Sequence, residues 1–152
     1  MSDIFKKLNL KDQAEIVVLN APASFEPELV ALTGVNVLRE LKGVKTLNFA
    51  LAFVTKQAEV DKLAAALGKR AQGDAVVWFA YPKGTSKNYK CDFNRDTGWA
   101  ALGELGFEPV RIVALDADWS ALRFRRADFI KIMRRDEKRA ISAKGKAKNV
   151  KP

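Results

Sequence analysis

The chain has 152 residues, enough for one domain that buries roughly two-thirds of its unfolded surface. Apolar side chains make up 48% and charged ones 30%, and no apolar run nears the ~20 residues of a membrane helix. The net charge of +9 is uneven: residues 131–152 hold nine Lys or Arg against Asp136 and Glu137, whereas the first 130 residues are nearly neutral. Without histidine, imidazole triads and imidazole metal ligation are excluded. One cysteine, Cys91, makes neither an internal disulfide nor a structural zinc site. The N-terminus has no signal-peptide core, so we expect a cytoplasmic protein.

Residues 14–19, AEIVVL, read as a buried strand ended by Asn20-Ala21-Pro22. Ser24 is expected to cap a short helix with Phe25, Leu29 and Leu32 on one side, Pro27 in its first turn and Gly34 at its close. Residues 35–41 form a second expected strand, and the nearly apolar 48–54 a third. Thr55 is the expected N-cap of a helix over 56–70, with Val60, Leu63 and Leu67 in a stripe. Gly73-Asp74 turns the chain into a strand over 75–81.

Asp96 or Thr97 is expected to open a helix through Trp99, Leu102 and Leu105, closed by Gly106. Residues 110–115 and 120–125 flank a bend at 116–119 and read as an antiparallel hairpin. Leu122 and Phe124 would face the core, with Arg123 and Arg125 on the opposite face. A short helix with Phe129, Ile130 and Met133 inward is expected next. The basic segment 141–152 has too little apolar content to fold alone.

Strand runs apolar on both faces and alternating with helices imply a mostly parallel sheet covered on both sides. The fold expected over residues 1–140 is therefore a three-layer, Rossmann-like α/β domain with a C-terminal antiparallel hairpin. It resembles a shortened form of the methyltransferase-like variant.

Ligands of open α/β sheets bind beyond the carboxyl ends of the parallel strands. Three loops meet there and bring Asn20, Ser24, Thr55, Lys83, Thr85 and Ser86 together. Their hydroxyls, amides and lysine could hold a phosphate or carboxylate. Pro-Lys-Gly-Thr-Ser is equally ordinary turn composition, and Lys83 precedes Gly84, the reverse of a phosphate loop. The first strand is followed by no glycine, and Pro22 has no N–H to donate. Nicotinamide and S-adenosylmethionine binding of the usual kind are disfavoured, and no cofactor is expected.

Cys91, beside Lys90, reads as a passive thiol for want of a base. Asp92, Asp96, Asp116 and Asp118 each fit a cap or turn role. Trp78, Trp99 and Trp119 are expected in the core or at its edge.

From residue 76 onward, a strand ends in Tyr81-Pro82-Lys83, a loop contains Ser86, and Asp116-Ala117-Asp118-Trp119-Ser120-Ala121-Leu122-Arg123-Phe124 follows, with Asp92 and Asp96 between. This pattern is similar to a family of short bacterial domains of unknown function whose strand ends in Trp-Pro-Lys. The likeness covers about residues 8–126; here Tyr81 stands for Trp, and Lys11-Asp12-Gln13 for a Pro-Gly turn. It implies the architecture and brings no reaction or cofactor.

The sequence thus favours a non-catalytic domain that binds a small anionic ligand or a protein partner at the sheet rim. One alternative is weak, sequence-independent nucleic-acid association through Lys144, Lys146, Lys148 and Lys151. A divergent transferase on a methyltransferase-like scaffold is the other.

Overall fold

A computed structural model describes residues 3–93 and 97–130. Helix α1 (Asp3–Lys7) precedes strand β1 (Glu15–Leu19), a 3-10 turn (Ala23–Phe25), helix α2 (Glu26–Val30) and strand β2 (Asn36–Leu38). Strand β3 (Leu47–Phe53), helix α3 (Gln57–Gly68), strand β4 (Ala71–Pro82) and helix α4 (Ala100–Glu104) follow. Strands β5 (Phe107–Ala114) and β6 (Trp119–Arg126) form the hairpin, and a 3-10 turn (Ala127–Phe129) ends the described chain.

The six strands form one sheet in the order β2-β1-β3-β4-β6-β5. Strands β2, β1, β3 and β4 are parallel, and β6 is antiparallel to both β4 and β5. The fold is thus the expected α/β sandwich of three layers, mostly parallel with an antiparallel pair. Strand β1 runs outward to β2 and the chain then returns to the other side of β1, so the order reverses between β1 and β3. That is the topological switch point at which such sheets bind ligands.

Alternation divides the buried side chains between two faces. Val17, Ala50, Ala52, Val77, Phe79, Leu122 and Phe124 pack under α3 and α4 through Val60, Ala64, Leu67 and Leu102. Ile16, Val18, Phe49, Leu51, Phe53, Val76 and Trp78 pack with Phe5 and Leu8 at α1 and with Phe25 and Leu29. Trp78, Trp99 and Trp119 are all buried, as expected, and the indole N–H of Trp78 donates to the Leu8 carbonyl at 2.8 Å.

Several local expectations are corrected. Ser24 caps no helix: it is exposed inside the 3-10 turn, which begins after Pro22, and α2 starts at Glu26. Strand β2 is only three residues long, and β4 starts at Ala71 because Gln72-Gly73-Asp74 continues the strand past a register shift. Helix α3 starts at Gln57 with Lys56 as its N-cap, in place of Thr55. Helix α4 starts at Ala100, after Trp99. Phe129 faces outward at 42% exposure, while Ile130 is buried. Asp96, Met133 and the basic segment 141–152 lie outside the described residues.

Among the described residues, no helix is long and apolar enough to cross a membrane.

Candidate functional site at the carboxyl rim of the sheet

Because β1, β3 and β4 are parallel, Asn20, Thr55 and Lys83 leave the sheet at the same edge. The three loops nevertheless do different things.

At the switch point the protein satisfies its own groups. Asn20 takes φ 58°, the left-handed conformation that asparagine tolerates best after glycine. Its side-chain amide donates to the Phe53 carbonyl at 3.4 Å, tying the end of β1 to that of β3. Phe25 packs against Phe53 at 5.1 Å between ring centroids, Phe53 meets Trp119 edge-on at 5.2 Å, and Trp119 meets Tyr89 at 4.9 Å. This aromatic row covers one side of the rim.

The amino end of α3 is similarly occupied. Glu59 Oε1 accepts from the amides of Thr55 and Lys56 at 2.8 and 3.1 Å and from the Thr55 hydroxyl at 3.1 Å. Asp92 Oδ1 accepts from the Gln57 amide at 2.7 Å, while its own amide donates to the Thr55 carbonyl. Two of the protein's carboxylates hold the place an external anion would take at a helix N-terminus.

The loop after β4 is different, since it walls a cavity of about 650 Å³. Tyr81, Ile112 and Ser120 lie on the face shared with Phe79 and Leu122, because Ser120 pairs with Tyr81 and Ile112 with Leu122. Lys83, Thr85, Ser86, Tyr89, Lys90, Cys91 and Phe93 supply the remaining lining with Pro82 and Gly84. Of the six expected site residues, Lys83, Thr85 and Ser86 therefore line this cavity, whereas Asn20, Ser24 and Thr55 do not.

Ser86 is structural within the wall. Its hydroxyl donates to Asp118 Oδ1 at 2.8 Å and accepts from the amides of Asn88 and Tyr89 at 3.3 and 3.1 Å. Asn88 Nδ2 donates to Asp118 Oδ2, and the Lys83 amide donates to the Asp118 carbonyl at 2.7 Å. Asp116 Oδ1 accepts from the amides of Asp118 and Trp119, which fixes the hairpin bend. The carboxylates of Asp92, Asp116 and Asp118 thus serve caps and turns. Gly98, at φ 89°, lets the chain pass: a Cβ there would lie 2.7 Å from Gln57 Oε1 and 2.9 Å from the Cβ of Phe93.

Of the polar lining residues, Thr85 and Lys90 are exposed and Lys83 is half-buried. Burial pushes the Cys91 thiol up, and Asp92 and Glu59 add to this against a hydrogen bond at the Phe93 backbone. A shift in that direction disfavours the reactive thiolate. Sequence reasoning missed Tyr81, Tyr89, Lys90, Phe93, Ile112 and Ser120 as lining residues. Only the pairing of β6 with both β4 and β5 brings Ser120 and Ile112 alongside Tyr81.

No protein-family model and no curated protein matches the chain. Solved structures do. A SAM-dependent methyltransferase from Aquifex aeolicus superposes with a TM-score of 0.57 at 13% identity, covering 81% of this chain and 87% of that one. A possible exported protein from Bordetella parapertussis gives 0.55 at 11%, over 81% and 65% of the two chains. A ribosomal protein L11 methylase from Lactobacillus delbrueckii subsp. bulgaricus gives 0.50 at 11%, over 81% and 76%. The fold is methyltransferase-like. At these identities the likeness establishes architecture alone.

Proposed function

We propose that the protein is a binding domain on a methyltransferase-like sheet, which holds a small organic anion in the cavity after β4 and transfers no methyl group. The observation that carries this reading is the cavity itself, about 650 Å³ with Lys83 and Lys90 beside the apolar Tyr81, Phe93 and Ile112. That combination suits a ligand with a hydrophobic body and one carboxylate or phosphate. Among the described residues no base stands ready in it: the neighbouring Asp118 is engaged with Ser86 and Asn88, and burial pushes the Cys91 thiol up, away from the thiolate. The likeness of the Pro82-Lys83 loop and the 116–124 segment to short bacterial domains of unknown function belongs to the same reading.

Benzoate, with one ring and one carboxylate, is a direct probe. Lys83→Ala is expected to raise its Kd roughly 10-fold, the cost of one charge-assisted contact. Titration calorimetry of the two proteins measures it. Equal affinities, or no heat from the wild type across a panel of aromatic carboxylates, contradict the proposal.

Divergent methyl transfer is the second reading, favoured by the superposition on the Aquifex aeolicus enzyme. It requires S-adenosylmethionine to enter at the β1–β3 switch point, where Asn20 bonds to Phe53 and no glycine follows β1. Saturable S-adenosylmethionine binding that Asn20→Ala alters would favour this reading over the first.

A further inference from the structure

The opposite face of the sheet carries a cationic pair that the rim cavity does not use. Arg111 on β5 stands directly across from Arg123 on β6. Side chains so paired have Cβ atoms about 5 Å apart, and like charges there repel. Arg125 follows on the same face, but Asp74 holds it through two bonds, Nε to Oδ1 at 2.8 Å and Nη2 to Oδ2 at 2.7 Å. Glu108 faces Arg125 in the register, and not Arg111 or Arg123.

Arg111 and Arg123 have no ion-pair partner among the described residues. The Nε of Arg123 is also buried, with no acceptor among the described residues. Desolvation lowers the Arg123 pKa, and Arg125 and Arg111 lower it further against Asp74. Arg111 on the edge strand and Arg123 on its neighbour thus stand side by side, and among the described residues neither is neutralised by an ion pair of its own. Nothing in the packing requires that arrangement, since Arg111 is exposed.

We propose that Arg111 and Arg123 form a phosphate site, in which one phosphate group bridges the two guanidiniums. The planar forks of arginine match phosphate oxygens, and a dianion neutralises the pair. The group could be carried by a free phosphate ester or by a nucleic-acid backbone; the chemistry at the arginines is the same.

The site is distinct from the Lys83 cavity, which lies on the other face, so the two are separable. Millimolar inorganic phosphate, compared with sodium chloride of equal ionic strength, is expected to raise the melting temperature of the full chain by about 3 °C. Arg111→Ala should remove that response and, without phosphate, melt no lower than the wild type, because repulsion is relieved. Lys83→Ala should keep the response. A nucleoside monophosphate and a short single-stranded oligonucleotide then separate the sources: the carrier is the one whose affinity falls about 10-fold in Arg111→Ala. A phosphate response that survives Arg111→Ala, or none in the wild type with any of the three probes, overturns the proposal.

Discussion

Replacing Trp78 by alanine is expected to destabilise the protein by about 4 kcal/mol, close to the upper range for truncating a fully buried aromatic. Trp78 has no exposed surface and sits on the central strand β4, in the cluster that joins α1 to the sheet. Truncation empties that volume and also strips the Leu8 carbonyl of its donor, a loss of about 1–3 kcal/mol if the carbonyl stays buried. In a chain of this size the melting temperature should fall by roughly 10 °C. Trp78→Phe keeps most of the ring and loses only the hydrogen bond, so it should lie well above alanine. Calorimetry or urea unfolding of the three proteins checks the order. An alanine variant within 1 kcal/mol of wild type would mean that α1 is not packed as described.

The second large effect concerns the cavity wall. Asp118→Ala removes the acceptor of the Ser86 hydroxyl and of the Asn88 side-chain amide at once. Hydrogen bonds to a carboxylate contribute about 1.5–3 kcal/mol when sheltered, and Asn88 is exposed, so we expect a loss near 2 kcal/mol. The effect should be local. The Lys83 amide still donates to the backbone carbonyl at position 118, so the loop stays attached at its base. Amide exchange at Asn88 and Tyr89 should quicken by about 10-fold or more, and benzoate affinity should drop with it. Unchanged exchange there would show that Ser86 alone holds the turn.

The sheet was largely legible because its strands are continuous apolar runs that only a doubly covered sheet buries. Leu122 and Phe124 lie on one face of β6, packed in the core under α3 and α4, and Arg123 and Arg125 on the other, as their alternation implied. The failures follow from distance along the chain. Thr55 is the only residue a local rule would choose to cap α3, yet Asp92, 35 residues away, accepts the Gln57 amide. Helix α1 is five residues long, too short for periodicity to register, although Phe5 and Leu8 are fully buried.

The site followed the same logic. That Asn20 and Lys83 share an edge could be inferred from strand direction. That Asn20 would spend its amide on Phe53, leaving the cavity to Lys83, depended on the contact between β1 and β3.

The central claim is that ligands enter after β4 and not at the β1–β3 switch point. An amide-resolved NMR titration with benzoate, and separately with S-adenosylmethionine, tests it most directly. The account predicts that benzoate moves Lys83, Tyr89, Lys90 and Ser120 in a saturable way, and that S-adenosylmethionine leaves Asn20 and Thr55 in place. Movement of Asn20 and Thr55 by S-adenosylmethionine, with the amides after β4 indifferent to benzoate, would contradict it.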